Sequence, residues 1–187
     1  MNPRCLFYLT VIAGIVFAAP GAPTQTDHSE YNEPLQLRIA PESIIVQAGQ
    51  SADITITLTN QGPEILKVLS HIAAHEIHLD PFQAQIEPAT ICPLPTSLSD
   101  DPVSRTIGFT DERDKSAPVI KNLRHGDFIR HQVDLQAWAQ REVNGGKPIK
   151  SGCYNLVMSY TVRDQEEVWN GTVSSPEVKL LVQSLPK

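Results

Sequence analysis

The chain is poor in the signals that usually announce chemistry. Among its 187 residues there is no apolar run of the roughly 20 that a membrane-spanning helix requires. Nothing in its first half resembles a long amphipathic helix. Basic side chains form no run and no cluster with aromatics, which on a chain of formal net charge −6 argues against nucleic acid or an anionic membrane as partner. Catalytic signatures are missing too. No glycine elbow of the form G-x-S-x-G surrounds Ser159 or Ser174, and Gly145-Gly146 stands alone, without a phosphate-cradling pattern. Asp100-Asp101 lies among serine and proline and reads as a solvated loop. With three cysteines, one of them at position 5, the chain has too few thiols for a metal-thiolate site without help from histidine. These absences predict a protein that is not an enzyme and holds no cofactor.

What is present begins with a leader. Residues 1–4 carry one positive charge, residues 6–19 are apolar or small apart from Thr10, and Val16-Phe17-Ala18 offers a small-residue exit. That layout predicts a signal peptide over 1–18, removed on export, and hence a secreted or periplasmic protein with no membrane attachment after cleavage. Cys5 would leave with it. The two remaining cysteines, Cys92 and Cys153, stand 61 positions apart. In an oxidising compartment such a pair is most simply one disulfide.

Residues 19–34 are rich in Pro, Gly, Thr, Asp and Asn and read as a disordered lead-in. From 35 to 187 the period is two. Leu35, Leu37 and Ile39 alternate with polar residues, and a second short run covers 43–47. Ile54, Ile56 and Leu58 then alternate with Thr55, Thr57 and Thr59, all suited to a pleated surface. Asn60-Gln61-Gly62-Pro63 is a turn signal, and 64–70 reads as the return strand. Residues 79–118 hold six of the fifteen prolines and read as an irregular insertion with short edge strands near 82–86 and 106–109. Ile129, His131, Val133 and Leu135 share one face, followed by one or two helical turns over 136–143. Tyr154, Leu156, Met158, Tyr160 and Val162 alternate, as do Val178, Leu180 and Val182. The pattern predicts an all-β fold: a two-layer antiparallel sandwich of about eight strands with little helix.

Several of these segments, T-N-Q-G at 59–62, F-I-R-H-Q-V-D-L at 128–135, G-C-Y-N-L at 152–156 and W-N-G-T-V-S-S-P-E-V at 169–178, resemble a recurring type of secreted or periplasmic immunoglobulin-like domain. His125-Gly126-Asp127 stands at its glycine turn and Gly152-Cys153-Tyr154 at its Gly-x-Tyr. Residues 59–69 are distantly similar to the N-terminal domain of fungal deuterolysin-type protease precursors. The resemblance implies an immunoglobulin-like sandwich without catalytic function.

Candidate site residues are few. His71, His75 and His78, with Glu76 and Asp80 beside them, are plausible metal ligands, but the spacing is one residue short of H-E-x-x-H. Pro93, Leu94 and Pro95 would form a proline-rich loop braced by Cys92, a candidate binding or protease-inserting segment. Asn170-Gly171-Thr172 is a glycosylation acceptor triplet if the source is eukaryotic, and Asn-Gly is equally a hairpin turn. Trp169 and Trp138 are expected to pack over an edge and one end of the core. The expected function is an exported binding or structural module that presents loops to an unidentified protein partner. A secreted protease inhibitor or propeptide-like domain and a metal-binding protein are the alternatives.

Overall fold

The structure, a computed structural model, describes residues 33–74, 80–92, 102–111, 113 and 116–184. The expected leader and nearly all of the lead-in lie outside them. The described chain is a β-sandwich. Strands β1 (Leu35–Ala40), β3 (Asp53–Asn60) and β8 (Phe128–Asp134) form one antiparallel sheet with β3 in the centre. In β3, Ile54, Ile56 and Leu58 are buried against the core while the threonines between them stay half-exposed.

The larger sheet runs β2 (Ser43–Gln47), β11 (Val178–Gln183), β9 (Gly152–Val162), β5 (Phe82–Pro88), β6 (Arg105–Gly108). A further strand, β10 (Gly171–Ser174), shares with β11 one edge of β9. Ser175 bridges the gap between them. Its N–H donates to Met158 O at 2.8 Å, and its Oγ accepts from Met158 N at 3.0 Å. The alternation read in β9 is real: Tyr154, Leu156, Met158, Tyr160 and Val162 all face the core. A last pair, β4 (Leu66–Leu69) with β7 (Ile120–Leu123), stands apart from both sheets.

Four expectations are corrected. Eleven strands are present among the described residues, not about eight. Segment 64–70 does not return along β3, because β1 and β8 already occupy both edges of that strand; β4 pairs with β7 instead. Strand β5 is no edge strand but lies between β9 and β6. Its flanking prolines permit this, since Pro81 precedes the strand and Pro88 is its last residue, so neither removes an internal ladder bond. Finally, β2 and β11 run parallel. Pro41 has no N–H with which to prolong the β1–β3 ladder, and the chain changes sheets there.

Cys153 alternates with the core-facing residues of β9 and therefore sits on the sheet's outer face. It is bonded to Cys92, with Cα atoms 5.7 Å apart. Ala89 N donates to Cys153 O at 2.9 Å, so the chain leaving β5 follows β9 before crossing over it. On the inner face of the same strand Tyr160 is fully buried, and its hydroxyl meets Leu69 N at 3.0 Å and Leu69 O at 3.2 Å. One phenol thus takes the place of a neighbouring strand for β4. Its ring packs edge-on to Phe82 (4.9 Å) and is covered by Trp169 (5.9 Å), while Phe82 meets His131 at 5.6 Å.

Two expected outcomes follow from this packing. Tyr160→Phe keeps the ring but strands both Leu69 backbone groups, and urea unfolding is expected to show a loss of about 1–3 kcal/mol. Replacing both Cys92 and Cys153 by Ala releases a cross-link between positions 61 apart, for an expected loss of about 4 kcal/mol in the same measurement.

Candidate functional site

The side chains that sequence reasoning passed over converge on the loop at 144–150. Helix α1 (Leu135–Ala139) starts where Asp134 caps it, the carboxylate accepting from Gln136 N and Ala52 N, both at 2.9 Å. This brings the buried Gln136 amide against Ile149. Its Oε1 accepts from Ile149 N at 2.8 Å and its Nε2 donates to Ile149 O at 3.4 Å. A 3-10 turn (Glu142–Asn144) follows, closed by Gly145 at φ 89° and Gly146 at φ 67°, values that disfavour a side chain.

Three further side chains fix the loop. The Asn144 amide donates to Gly108 O (2.8 Å) and Trp138 O (3.0 Å) and accepts from Gly108 N (2.9 Å), tying the loop to β6 and α1. Arg105, on β6, donates to Lys147 O at 2.7 Å and also to the carbonyls of Ala139 and Asn144. Burial lowers its pKa from the ordinary arginine value. The Tyr154 hydroxyl donates to Lys150 O, four residues upstream, at 2.9 Å. Glycine is required beside it: a Cβ at Gly152 would lie 2.9 Å from the Pro102 side chain and 3.1 Å from the Tyr154 ring.

Between this braced loop and the chain entering β6 lies a cleft of about 440 Å³. Ile86, Val103, Ile149 and Tyr154 make its surface largely apolar, and Lys147 and Lys150 contribute to its lining. The volume falls within the range of small-molecule sites, roughly 300–1,000 Å³. Because the loop's carbonyls are held by Arg105, Gln136 and Tyr154, the cleft is formed before any ligand arrives.

The residues singled out from sequence do not gather here. His71 follows β4 and is half-buried, close enough to His131 for their charges to oppose each other. Burial foremost, then Lys121 and His71, holds the His131 pKa below its ordinary value against a hydrogen bond with the Ser70 backbone. His75 and His78 lie outside the described residues, and among the described residues no three His, Cys, Asp or Glu side chains are grouped as a metal would need. Pro93, Leu94 and Pro95 also lie outside; Ile91, just before the bonded Cys92, is exposed.

Asn170 does not form a two-residue hairpin turn, since residues 163–170 all separate β9 from β10. Its amide closes that connection, donating to Gln165 O (2.8 Å) and Val168 O (2.9 Å) and accepting from Gln165 N (3.1 Å). Gly171 lies beneath the Trp169 ring, where a Cβ would approach within 2.6 Å. Trp169 therefore folds back onto the core. Trp138 closes the other end, edge-on to Phe109 at 5.2 Å and covered by the Arg141 guanidinium at 3.6 Å.

Asp80 is the one carboxylate of the histidine-rich segment that is described, and it is buried. One oxygen accepts from Phe109 N and lies 3.5 Å from the Thr110 hydroxyl; the other meets no donor among the described residues. Burial pushes its pKa up to about 7, opposed by the Phe109 N–H, the nearby Phe82 backbone and the Thr110 hydroxyl.

No protein-family model matches the chain, and no curated protein matches it. The fold and cleft therefore define a class only, an all-β sandwich with a preformed apolar cleft at one end.

The Asp80 carboxyl makes stability pH-dependent in a stated direction. The folded state favours the protonated acid, so its contribution is complete below about pH 4 and is lost as pH rises through about 7. Relative to Asp80→Asn, the wild-type protein is expected to lose on the order of 3–4 kcal/mol between pH 4 and pH 8, read from chemical denaturation at each pH.

Proposed function

We propose that this chain is an exported, non-catalytic binding module, an immunoglobulin-like sandwich whose ligand site is the cleft beside the 144–150 loop. The observation that carries the reading is the preorganised loop. Three side chains from three elements, Arg105, Gln136 and Tyr154, satisfy its backbone while Asn144 ties it to β6 and α1, and a surface loop without a task has little need of such bracing. The immunoglobulin-like assignment is supported by the Tyr154 hydroxyl returning to the backbone four residues upstream, the corner arrangement found in such sandwiches. Export is supported by the leader pattern and by the Cys92–Cys153 bond, which suits an oxidising compartment. No helix among the described residues is long and apolar enough to cross a membrane.

The test uses a neutral apolar probe. Octanol is expected to bind with Kd on the order of 1 mM or tighter, seen as NMR shifts of Val103 and Ile149 amides. Val103 is 59% exposed, so Val103→Trp can block the cleft without disturbing the core. It should abolish those shifts and leave the melting temperature unchanged. Binding that survives the block, or no shift at all, removes the cleft as the site.

A further inference from the structure

The charge around the cleft differs in sign from the charge of the chain. The protein carries a formal net charge of −6, yet among the described residues no acidic side chain lines this cleft and three cationic ones do: Arg105, Lys147 and Lys150. Their situations differ. Arg105 is turned to the backbone, its terminal nitrogens held by carbonyls of Ala139, Asn144 and Lys147, so it organises the wall and offers little to a ligand. Lys147 and Lys150 are exposed and form no ion pair among the described residues. Of the other described lysines, two are matched and Lys121, on β7, is not. Lys67 meets Glu167, Lys179 meets Glu177, and Arg113 and Arg141 share Asp111.

The two lysines flank an apolar floor. Ile86 comes from β5, Ile149 from the loop and Tyr154 from β9, with Val103 at the entrance. Because the Tyr154 hydroxyl and the Gln136 amide are both committed to backbone, the floor presents no polar group of theirs to a ligand. A ligand that satisfies this surface has an apolar body of modest size and one negative end.

Resting on the reading of the cleft as a binding site, we infer that its ligand class is a small free apolar monocarboxylate, its hydrocarbon part against Ile86, Ile149 and Tyr154 and its carboxylate between Lys147 and Lys150. The cleft's volume, about 440 Å³, favours a small molecule over a length of polypeptide. The two exposed ammonium groups act by charge, so selectivity is set by headgroup sign and weakens with salt.

The experiment compares four probes by NMR titration at low salt: octanoate, octanol, octylammonium and the peptide acetyl-Gly-Gly-Leu. Octanoate is expected to bind roughly tenfold more tightly than octylammonium and several-fold more tightly than octanol, with the preference collapsing at 0.5 M NaCl. In the double variant Lys147→Gln/Lys150→Gln, both at exposed positions, octanoate and octanol should become equal while octanol keeps its wild-type affinity. Equal binding of octanoate, octanol and octylammonium to the wild-type protein overturns the carboxylate inference and leaves the apolar site standing. Tighter binding of the peptide than of octanoate overturns the small-molecule assignment. If no probe shifts Val103 or Ile149, the binding-site reading itself fails, and the inference with it.

Discussion

Tyr154 and Tyr160 stand on the same face of one strand, and each hydroxyl is bonded to the backbone of another segment. Most of the architecture hangs on that arrangement. At one end Tyr154 fixes Lys150 and so the loop that walls the cleft; toward the other, Tyr160 carries β4 and, through it, β7. The strand between them supplies ladder partners to β5, β10 and β11. A buried phenol must have its hydroxyl satisfied. Here each bond reaches beyond the strand itself, one to the loop that walls the cleft and the other to β4. The period of two that places both rings inward is therefore more than a packing pattern. It sets where two peripheral segments attach.

The cleft grows out of the same logic at one remove. Gly152 has to be bare for Pro102 and the Tyr154 ring to approach it. Pro102 leads into Val103 and Arg105, and Arg105 collects the carbonyls of the loop opposite. Gln136 and Asn144 complete the set from α1 and the 3-10 turn. Polar side chains here do structural work on backbone groups, which leaves hydrocarbon to face the cleft. Among the described residues, the charge left unengaged at the cleft is that of the exposed lysines.

Much of the sandwich was legible in the residues. The alternation in 54–58 and 154–162 depends only on local pleat geometry, and the turns at 60–63 and 124–127 on glycine and asparagine chemistry. Pairing was not legible in the same way. Nothing local in Leu66–Leu69 says that β3 is already flanked on both sides, and nothing in Phe82–Pro88 says that its prolines fall harmlessly at the ends. The cleft was hidden for a related reason. Arg105, Gln136 and Asn144 look like ordinary surface residues until a fold brings carbonyls from 139–149 to them. The histidines drew attention by number, but the two that the structure describes near one another are His71 and His131, sixty positions apart in the chain.

The parallel pairing of β2 with β11 bears on how the molecule is made. Ile44 and Val46 are ready early in synthesis, but the strand that covers their edge is Val178–Gln183, the last to emerge of those described. A nascent chain must hold an unfinished sheet edge through nearly the whole of translation. Such late, non-local closure slows folding and exposes strands to wrong partners. The same delay leaves β2 without its lateral partner until the last described strand has been made.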